Sequence, residues 1–194
     1  SLSQPVPISC SSTSLKPTAN EIHTDELEDP VMDSLTTPSE RNPMTAESQE
    51  NPLVECVPNI SEGRDRAKID LIVAAAAAVA EVEVLDVDPG ADTHRTVITL
   101  VGPPAPIAEA AFRLVKKAAE LIDMTTHQGA HARHGATDVC PFIPVSGISM
   151  KDCIEIARGV GKRIGDELGI PVYMYDRAAL RDDRKSLADV RKGE

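Results

Sequence analysis

The sequence predicts an α+β fold in which helices cover one face of a mixed β-sheet. Short β-branched runs alternate with longer segments whose apolar residues recur at helical spacing. Two of the strand-like runs follow one another with only a turn-rich loop between them, as in a hairpin. The predicted order is β-α-β-β-α-β-α-β, which suits a ferredoxin-like sandwich. We assign this fold to residues 51–194.

The first half of this region contains three predicted strands and one helix. The run LVECVP alternates apolar and polar residues and ends at a turn formed by Pro58 and Asn59. A helix is predicted where Ile69, Ile72 and Ala76 share one face. The predicted elements are strand 53–58, helix 64–80, strand 83–87, a loop at 88–94 and strand 96–101.

The second half begins with a long amphipathic helix that Pro103 and Pro104 open. A buried strand follows, and Ser149 with Asp152 forms a capping box at the start of the next helix. Gly169 ends that helix. The predicted elements are helix 105–124, strand 139–145, helix 149–168, strand 172–175 and a polar helix at 182–192.

The first fifty residues differ in composition from the rest. They hold nine acidic and two basic residues, six prolines and fifteen Ser or Thr residues, and no aromatic residue. Such a segment buries too little apolar surface to offset its ordering entropy, so we expect residues 1–50 to be a disordered acidic extension. One hypothesis is that residues 1–43 are foreign to the native protein, with Met44 as the natural start. The alternative is a genuine solvated tail.

The bulk composition excludes several classes of function. The net charge is −11 and neither part of the chain has a basic face, so we expect no nucleic-acid partner. The longest apolar run, Leu71–Ala80, is too short to span a bilayer. The four cysteines form no CxxC pair and no regular framework. We therefore expect reduced thiols in a cytoplasmic protein.

The segment 127–145, HQGAHARHGATDVCPFIPV, is the most informative for function. It holds three of the five histidines of the chain, His127, His131 and His134. Histidine is the side chain whose unperturbed pKa allows it to take and give a proton near pH 7. Gly129 and Gly135 flank His131 and let the backbone approach a ligand closely. The segment therefore predicts acid–base chemistry.

A metal site is the main alternative for these histidines. His127, His131 and His134 have spacings of four and three, which would align them on one helical turn. Three histidines and a water form a common zinc site. However, the two glycines disfavour a regular helix, and there is no HExxH glutamate. We expect no metal.

Three motifs resemble the formiminotransferase family, and within it the N-terminal subdomain. They are LVECVPNISEGRD at 53–65, LDVDPGADTHRTVITLVGPP at 85–104 and HQGAHARHGATDVCPFIPVSGISM at 127–150. The resemblance implies transfer of a formimino group from N-formimino-L-glutamate to tetrahydrofolate, with release of glutamate. It also implies tetrahydrofolate as co-substrate and a homodimer.

The resemblance also implies roles for individual residues. His131 matches the family's catalytic histidine and would act as general acid and base. Asp88 matches an acidic residue that lines the family's substrate tunnel. Apart from the resemblance, the chemistry of Arg95 and Arg133 would allow them to bind carboxylates of glutamate or folate. Asn59 is a candidate for the same site, and the alternative is a turn or helix-cap residue.

The sequence departs from the family's pattern in two respects. Ala130 and Ala132 replace the Glu and Pro that usually flank the histidine, and His134 replaces an apolar residue. The family's unit has two similar subdomains with a folate tunnel between them, so we expect that the C-terminal subdomain is missing from this chain and that the chain alone is weakly active or inactive. The alternative function is a non-catalytic folate-binding or assembly module.

Overall fold

The computed structural model describes residues 5–12, 51–128 and 134–192, in which a mixed sheet of seven strands packs against three long helices. A short helix follows near the C-terminus. The elements are β1 (Val6–Cys10), β2 (Leu53–Cys56), β3 (Asn59–Ile60), α1 (Arg66–Ala77), β4 (Glu83–Gly90), β5 (Arg95–Gly102), α2 (Pro104–Leu121), β6 (Thr137–Ser146), α3 (Met150–Leu168), β7 (Val172–Asp176) and α4 (Leu187–Lys192).

Across the sheet the order is β4, β5, the interrupted strand formed by β2 and β3, then β6, β1 and β7. The hairpin of β4 and β5 is antiparallel, and β2 and β3 run antiparallel to β5 and β6. On the other side, β1 runs parallel to β6 and β7. The predicted α+β class with a mixed sheet is confirmed, and the ferredoxin-like arrangement stays a prediction.

The caps predicted for α3 are present, and α1 has a cap that was not predicted. The Asp65 carboxylate accepts the Lys68 N–H at the start of α1. The Ser149 hydroxyl accepts the Asp152 N–H at 3.2 Å, which is the expected start of α3. Gly169 ends α3 with φ +64°, a left-handed conformation that favours glycine. Local signals therefore fix the ends of these helices.

The hydrophobic core lies between α1, α2, α3 and one face of the sheet. In β1, β2 and β5 every second residue points into it, as the period of two requires. Ile98 and Leu100 of β5 are fully buried there, whereas the alternate residues Val97 and Thr99 are only half-buried. The four cysteines are free and buried. The strand residues of this core are Val6, Ile8, Cys10, Val54, Cys56, Ile60, Ile98, Leu100, Cys140, Phe142 and Met174.

The segment that follows β7 packs on the opposite face of the sheet, at the β7 edge. Tyr173 alternates with the core residue Met174 and therefore points to this opposite face. The Arg184 guanidinium lies 4.4 Å from the centre of its ring. This C-terminal segment consists of a 3-10 helix, Asp182–Arg184, followed by α4. The predicted polar helix at 182–192 is therefore two short pieces.

The expectation that residues 1–50 are disordered was wrong for Val6–Cys10. These five residues form β1, all five are buried, and the strand lies inside the sheet. The composition of the surrounding segment hid the strand, and prolines at positions 5 and 7 argued against it, because proline is rare in central strands. For most of residues 1–50 the expectation lies outside the described residues and stays a prediction, as does the proposed start at Met44.

Two predicted boundaries also need correction. The chain does not turn at Pro58 and Asn59, because β3 continues between the same neighbours as β2. The predicted loop at 88–94 is shorter than expected, because β4 continues to Gly90 and includes Asp88. In both cases the pairing partners on β5 override local turn propensity.

Candidate active site

A buried carboxylate, Asp138, lies on β6 four residues after His134, the last of the three histidines of the segment 127–145. On β3, one step from Asn59 to Ile60 matches two steps on β6, from Val139 to Thr137, so Asp138 is the extra residue of a β-bulge. Bulges redirect side chains at the ends of pairing. The Asp138 side chain is 0% exposed. A carboxylate buried in this way needs charged or polar partners to replace its lost hydration.

Two arginines supply those partners. Arg95 Nη2 and Arg191 Nη2 each lie 2.7 Å from Asp138 Oδ2. The backbone N–H of His134 donates to Asp138 Oδ1 at 2.9 Å. Two guanidinium groups and one carboxylate give this cluster a local charge of about +1, which favours an anionic ligand.

Asn59 and Arg95, two of the predicted substrate-binding residues, are in direct contact. Arg95 Nη2 donates to Asn59 Oδ1 at 3.0 Å. Asn59 Nδ2 in turn donates to the carbonyl of Val57 at 3.3 Å. Asn59 thus helps to orient the Arg95 guanidinium. The structure gives Asn59 a positioning contact and brings both residues to one site.

Asp88 lies on the same face of the sheet but farther away. It is opposite Val97 on β5, and Val97 is opposite Asn59 on β3. Residues directly opposite in an antiparallel sheet point to the same face, so Asp88 and Asn59 share the face away from the core. Two strand spacings separate them, about 10 Å. Asp88 is exposed and could contact one end of a ligand that reaches Arg95 at the other.

A second carboxylate, Glu62, lies at the start of α1. Its Oε1 accepts the backbone N–H groups of Gly63, Arg64 and Asp65, each at 3.0 Å. Burial alone would raise the pKa of Glu62, but these backbone hydrogen bonds and the nearby positive charge of Lys68 outweigh it and lower the pKa. Glu62 is therefore a fixed negative charge near neutral pH.

His94 connects Glu62 to the histidine segment. Its Nδ1 lies 3.4 Å from Glu62 Oε1 and accepts the Gly63 N–H at 3.1 Å. The residue has φ +53°, an uncommon backbone conformation for a non-glycine residue, at the turn between β4 and β5. The His94 and His127 rings are 4.1 Å apart between centroids. The first and the last of the three histidines, His127 and His134, thus contact His94 beside Glu62 and the Asp138 carboxylate, respectively.

The predicted catalytic residue His131 and the predicted binding residue Arg133 lie within residues 129–133, outside the described residues. Their roles stay predictions. Among the described residues, no group of three or more His, Cys, Asp or Glu side chains could hold a metal ion. Because His131 is outside this set, the three-histidine alternative is not tested by that result.

Sequence reasoning missed Asp138, Arg191, Glu62 and His94. Asp138 and Glu62 both lie within the quoted motifs, but what distinguishes them from other acidic residues is their burial, which the sequence does not show. Arg191 is 53 positions from Asp138, and no local pattern links the two residues. The signal for His94 was its place directly before Arg95 in the hairpin turn.

Comparison with known proteins identifies the family. Residues 53–194 match the family model described as "Formiminotransferase domain, N-terminal subdomain". The chain belongs to this family. The match covers the sheet from β2 to β7 and both carboxylate clusters, whereas β1 lies before it.

Several curated proteins are similar over the same region. A glutamate formimidoyltransferase of Streptococcus pyogenes serotype M1 is 51% identical over 142 residues, which are 73% of this chain and 48% of that protein. A glutamate formimidoyltransferase of Thermoplasma acidophilum is 51% identical over 139 residues, or 72% and 46%. A formimidoyltransferase-cyclodeaminase of Dictyostelium discoideum is 49% identical over 144 residues, or 74% and 27%. The chain spans about half the length of the first of these relatives.

Within the described ranges, none of the helices combines the length and apolarity needed to cross a membrane.

Proposed function

We propose that this chain takes part in the transfer of a formimino group from N-formimino-L-glutamate to tetrahydrofolate, with release of glutamate. Membership of the formiminotransferase N-terminal subdomain family is the observation that carries the proposal. The names of the relatives, at about half identity, agree with it. The cationic cluster of Arg95, Asp138 and Arg191 adds a physical reason, since both proposed substrates carry carboxylates.

The proposed chemistry needs one group that moves a proton twice. The secondary amine of the reduced folate attacks the formimino carbon and loses a proton to His131. The tetrahedral adduct then collapses, the bond from that carbon to the glutamate nitrogen breaks, and His131 returns the proton to the departing nitrogen. A histidine with a pKa near neutrality suits both steps and contributes about 10²–10⁴-fold in rate.

The remaining residues bind and orient. In this proposal Arg95 and Arg133 hold substrate carboxylates, and Asn59 and Asp138 fix the direction of the Arg95 guanidinium. Asp88 contacts the substrate from β4. The proposal also includes a second subdomain, like that of the family's two-part unit, which completes the folate cleft, and a homodimer of the complete protein.

The test measures glutamate release from N-formimino-L-glutamate, with and without tetrahydrofolate. One arm uses the chain alone, and a second arm uses the chain fused to the second half of the Streptococcus pyogenes relative. We expect little release from the chain alone and folate-dependent release from the fusion. In the fusion, His131→Ala should lower the rate by about 100-fold or more. His23→Ala, in the segment before the family match, is the matched control and should leave the rate unchanged.

Other outcomes would separate the alternatives. A folded fusion that binds tetrahydrofolate but releases no glutamate would favour the non-catalytic folate-binding module, for which the alanines at 130 and 132 are the motivating observation. Unchanged release from the His131→Ala fusion would refute the assigned acid–base residue. Full activity from the chain alone would refute the requirement for a second subdomain.

A further inference from the structure

The sheet contains a slot for one strand between β6 and β7, and β1 fills it. In β1, Ile8 is in register with Cys140 on one side and with Met174 on the other. At its two ends, the Val6 N–H donates to Pro171 O and the Ser11 N–H donates to Phe142 O, both at 2.9 Å. Both walls of the slot are therefore backbone edges that β1 satisfies.

The position of the proline in β1 matches the pairing pattern. In a parallel strand, alternate residues direct their N–H groups to opposite neighbours. Val6 donates towards β7 and Ser11 towards β6, so Pro7 would face β6. Pairing with β7 starts at Val6, whereas pairing with β6 starts only at Ile8. The missing N–H of Pro7 thus falls before the β6 ladder begins, and a proline costs little there.

The side chains of β1 also match the slot. Val6, Ile8 and Cys10 enter the core, and Ile8 and Cys10 are 0% exposed. A Cβ atom added at Gly161 of α3 would lie 3.6 Å from Ile8 Cδ1 and closer still to Met174, so this glycine allows α3 to approach the strands. On the opposite face, Ser9 is 1% exposed and hydrogen-bonds the Tyr175 hydroxyl.

This strand comes from outside the family's sequence. The family match begins at residue 53, and residues 11–52 separate β1 from β2. Both walls of the slot, β6 and β7, lie within the match. In this chain, a strand that precedes the family match thus pairs on both sides with strands inside the match.

We propose that the slot between β6 and β7 is a peptide-binding groove, and that its ligand is residues 5–12 of this chain, held as a separable parallel strand. The mode is strand addition, in which main-chain hydrogen bonds give affinity and alternate side chains give specificity. This binding is independent of the transfer reaction proposed above.

The test uses the 194-residue chain with residues 5–12 replaced by Gly and Ser. Its matched control replaces residues 13–20 in the same way. The probe is a synthetic peptide of residues 5–12, PVPISCSS, and the control peptide carries Ile8→Asp. The measurements are thermal unfolding followed by far-ultraviolet circular dichroism and peptide binding by titration calorimetry.

We expect the 5–12 replacement to melt several degrees below wild type and the peptide to restore the melting temperature in proportion to its concentration. The Ile8→Asp peptide should bind at least tenfold more weakly, because a carboxylate would enter the core. Wild type and the 13–20 replacement should melt alike and should not bind the peptide, because their slots are filled.

Three results would overturn the proposal. They are a 5–12 replacement that melts like wild type, a replacement that does not bind the peptide, and a wild-type chain that binds the peptide equally well. If the replacement does not fold alone, it is diluted from denaturant with and without the peptide. Recovery of the native spectrum only with the wild-type peptide supports the proposal, and failure to recover overturns it.

Discussion

Asp138→Asn gives the most direct test of the cationic cluster. The substitution keeps the size of the side chain but removes its negative charge. It also replaces one acceptor oxygen with an NH₂ group, which cannot accept from a guanidinium or from the His134 N–H. The three contacts at stake are those to Arg95 and Arg191, at 2.7 Å, and to His134, at 2.9 Å.

The size of the effect follows from burial. Both arginines contact Oδ2, where the Asn carbonyl oxygen can stand, so each hydrogen bond would fall from about 1.5–3 kcal/mol, as for a charged group, to about 0.5–1.5 kcal/mol, as for a neutral one. The NH₂ group would then face the His134 N–H and leave it without an acceptor, so the total cost would be about 3–4 kcal/mol. The Arg95 and Arg191 side chains are 13% and 27% exposed, so water can replace part of that loss. We expect a net destabilisation of about 2–3 kcal/mol, equivalent to a fall in melting temperature of about 4–12 °C.

The assay is thermal unfolding by circular dichroism, with Asp92→Asn as the matched control. Asp92 is an exposed aspartate in the turn before β5, so its substitution should leave the melting temperature within about 1 °C of wild type. If Asp138→Asn also melts within about 1 °C of wild type, the buried carboxylate does not hold the two arginines, and the argument for an organised anion site is refuted.

Three further predictions concern two glycines (Gly63 and Gly159), Glu62 and the four buried cysteines. Gly63→Ala should destabilise the protein by about 2 kcal/mol, because the new Cβ would lie 2.6 Å from the Arg95 nitrogen and closer to the Gly90 carbonyl. At Gly159 an added Cβ would have no other atom within 4 Å, so Gly159→Ala should stabilise α3 by about 0.5–1 kcal/mol. Chemical denaturation gives the unfolding free energies of both variants, and equal changes at the two glycines would contradict this prediction. The lowered pKa of Glu62 means that its stabilisation is present above the ordinary glutamate pKa of about 4.3 and is lost as the pH falls through the lower folded value. Below that pH, the unfolding free energy of Glu62→Gln should therefore fall less steeply than that of wild type. The exposed-site control Glu155→Gln should behave like wild type. Parallel plots of unfolding free energy against pH for all three proteins would contradict this account. The four buried thiols should react slowly with a thiol reagent in native protein and all four should react in denaturant; a rapidly reacting native thiol would show that the core is open.

The sequence predicts the hairpin and the long helices well because their signals are local. Caps, prolines and apolar spacing lie within a few residues of the elements that they define, as at Ser149 and Gly169. The strand β1 could not be predicted in this way. The run of five residues is too short to predict a strand inside a polar, proline-containing segment. It forms a strand because it pairs with β6 and β7.

The candidate site could be predicted only in part for a similar reason. The sequence analysis assigned Asn59 and Arg95 to one candidate site, and these two side chains do contact each other. The partners that hold Arg95 in place depend on pairings across the fold, such as the contact of Asp138 with Arg191, 53 positions away. Burial turns Asp138 from an ordinary polar residue into the centre of the cluster, and burial is a property of the folded chain.

The placement of both tyrosines on β7 determines how unfolding of this protein can be observed. The chain has no tryptophan and only two tyrosines, so its intrinsic fluorescence arises from Tyr173 and Tyr175. Tyr173 lies under Arg184, and Tyr175 is bonded to Ser9 of β1 while burial raises its pKa to about 12. The emission therefore reports on the docking of the two chain ends against one strand. Release of either end will change the signal while the helices and the hairpin remain folded, so a fluorescence melt alone would be mistaken for global unfolding.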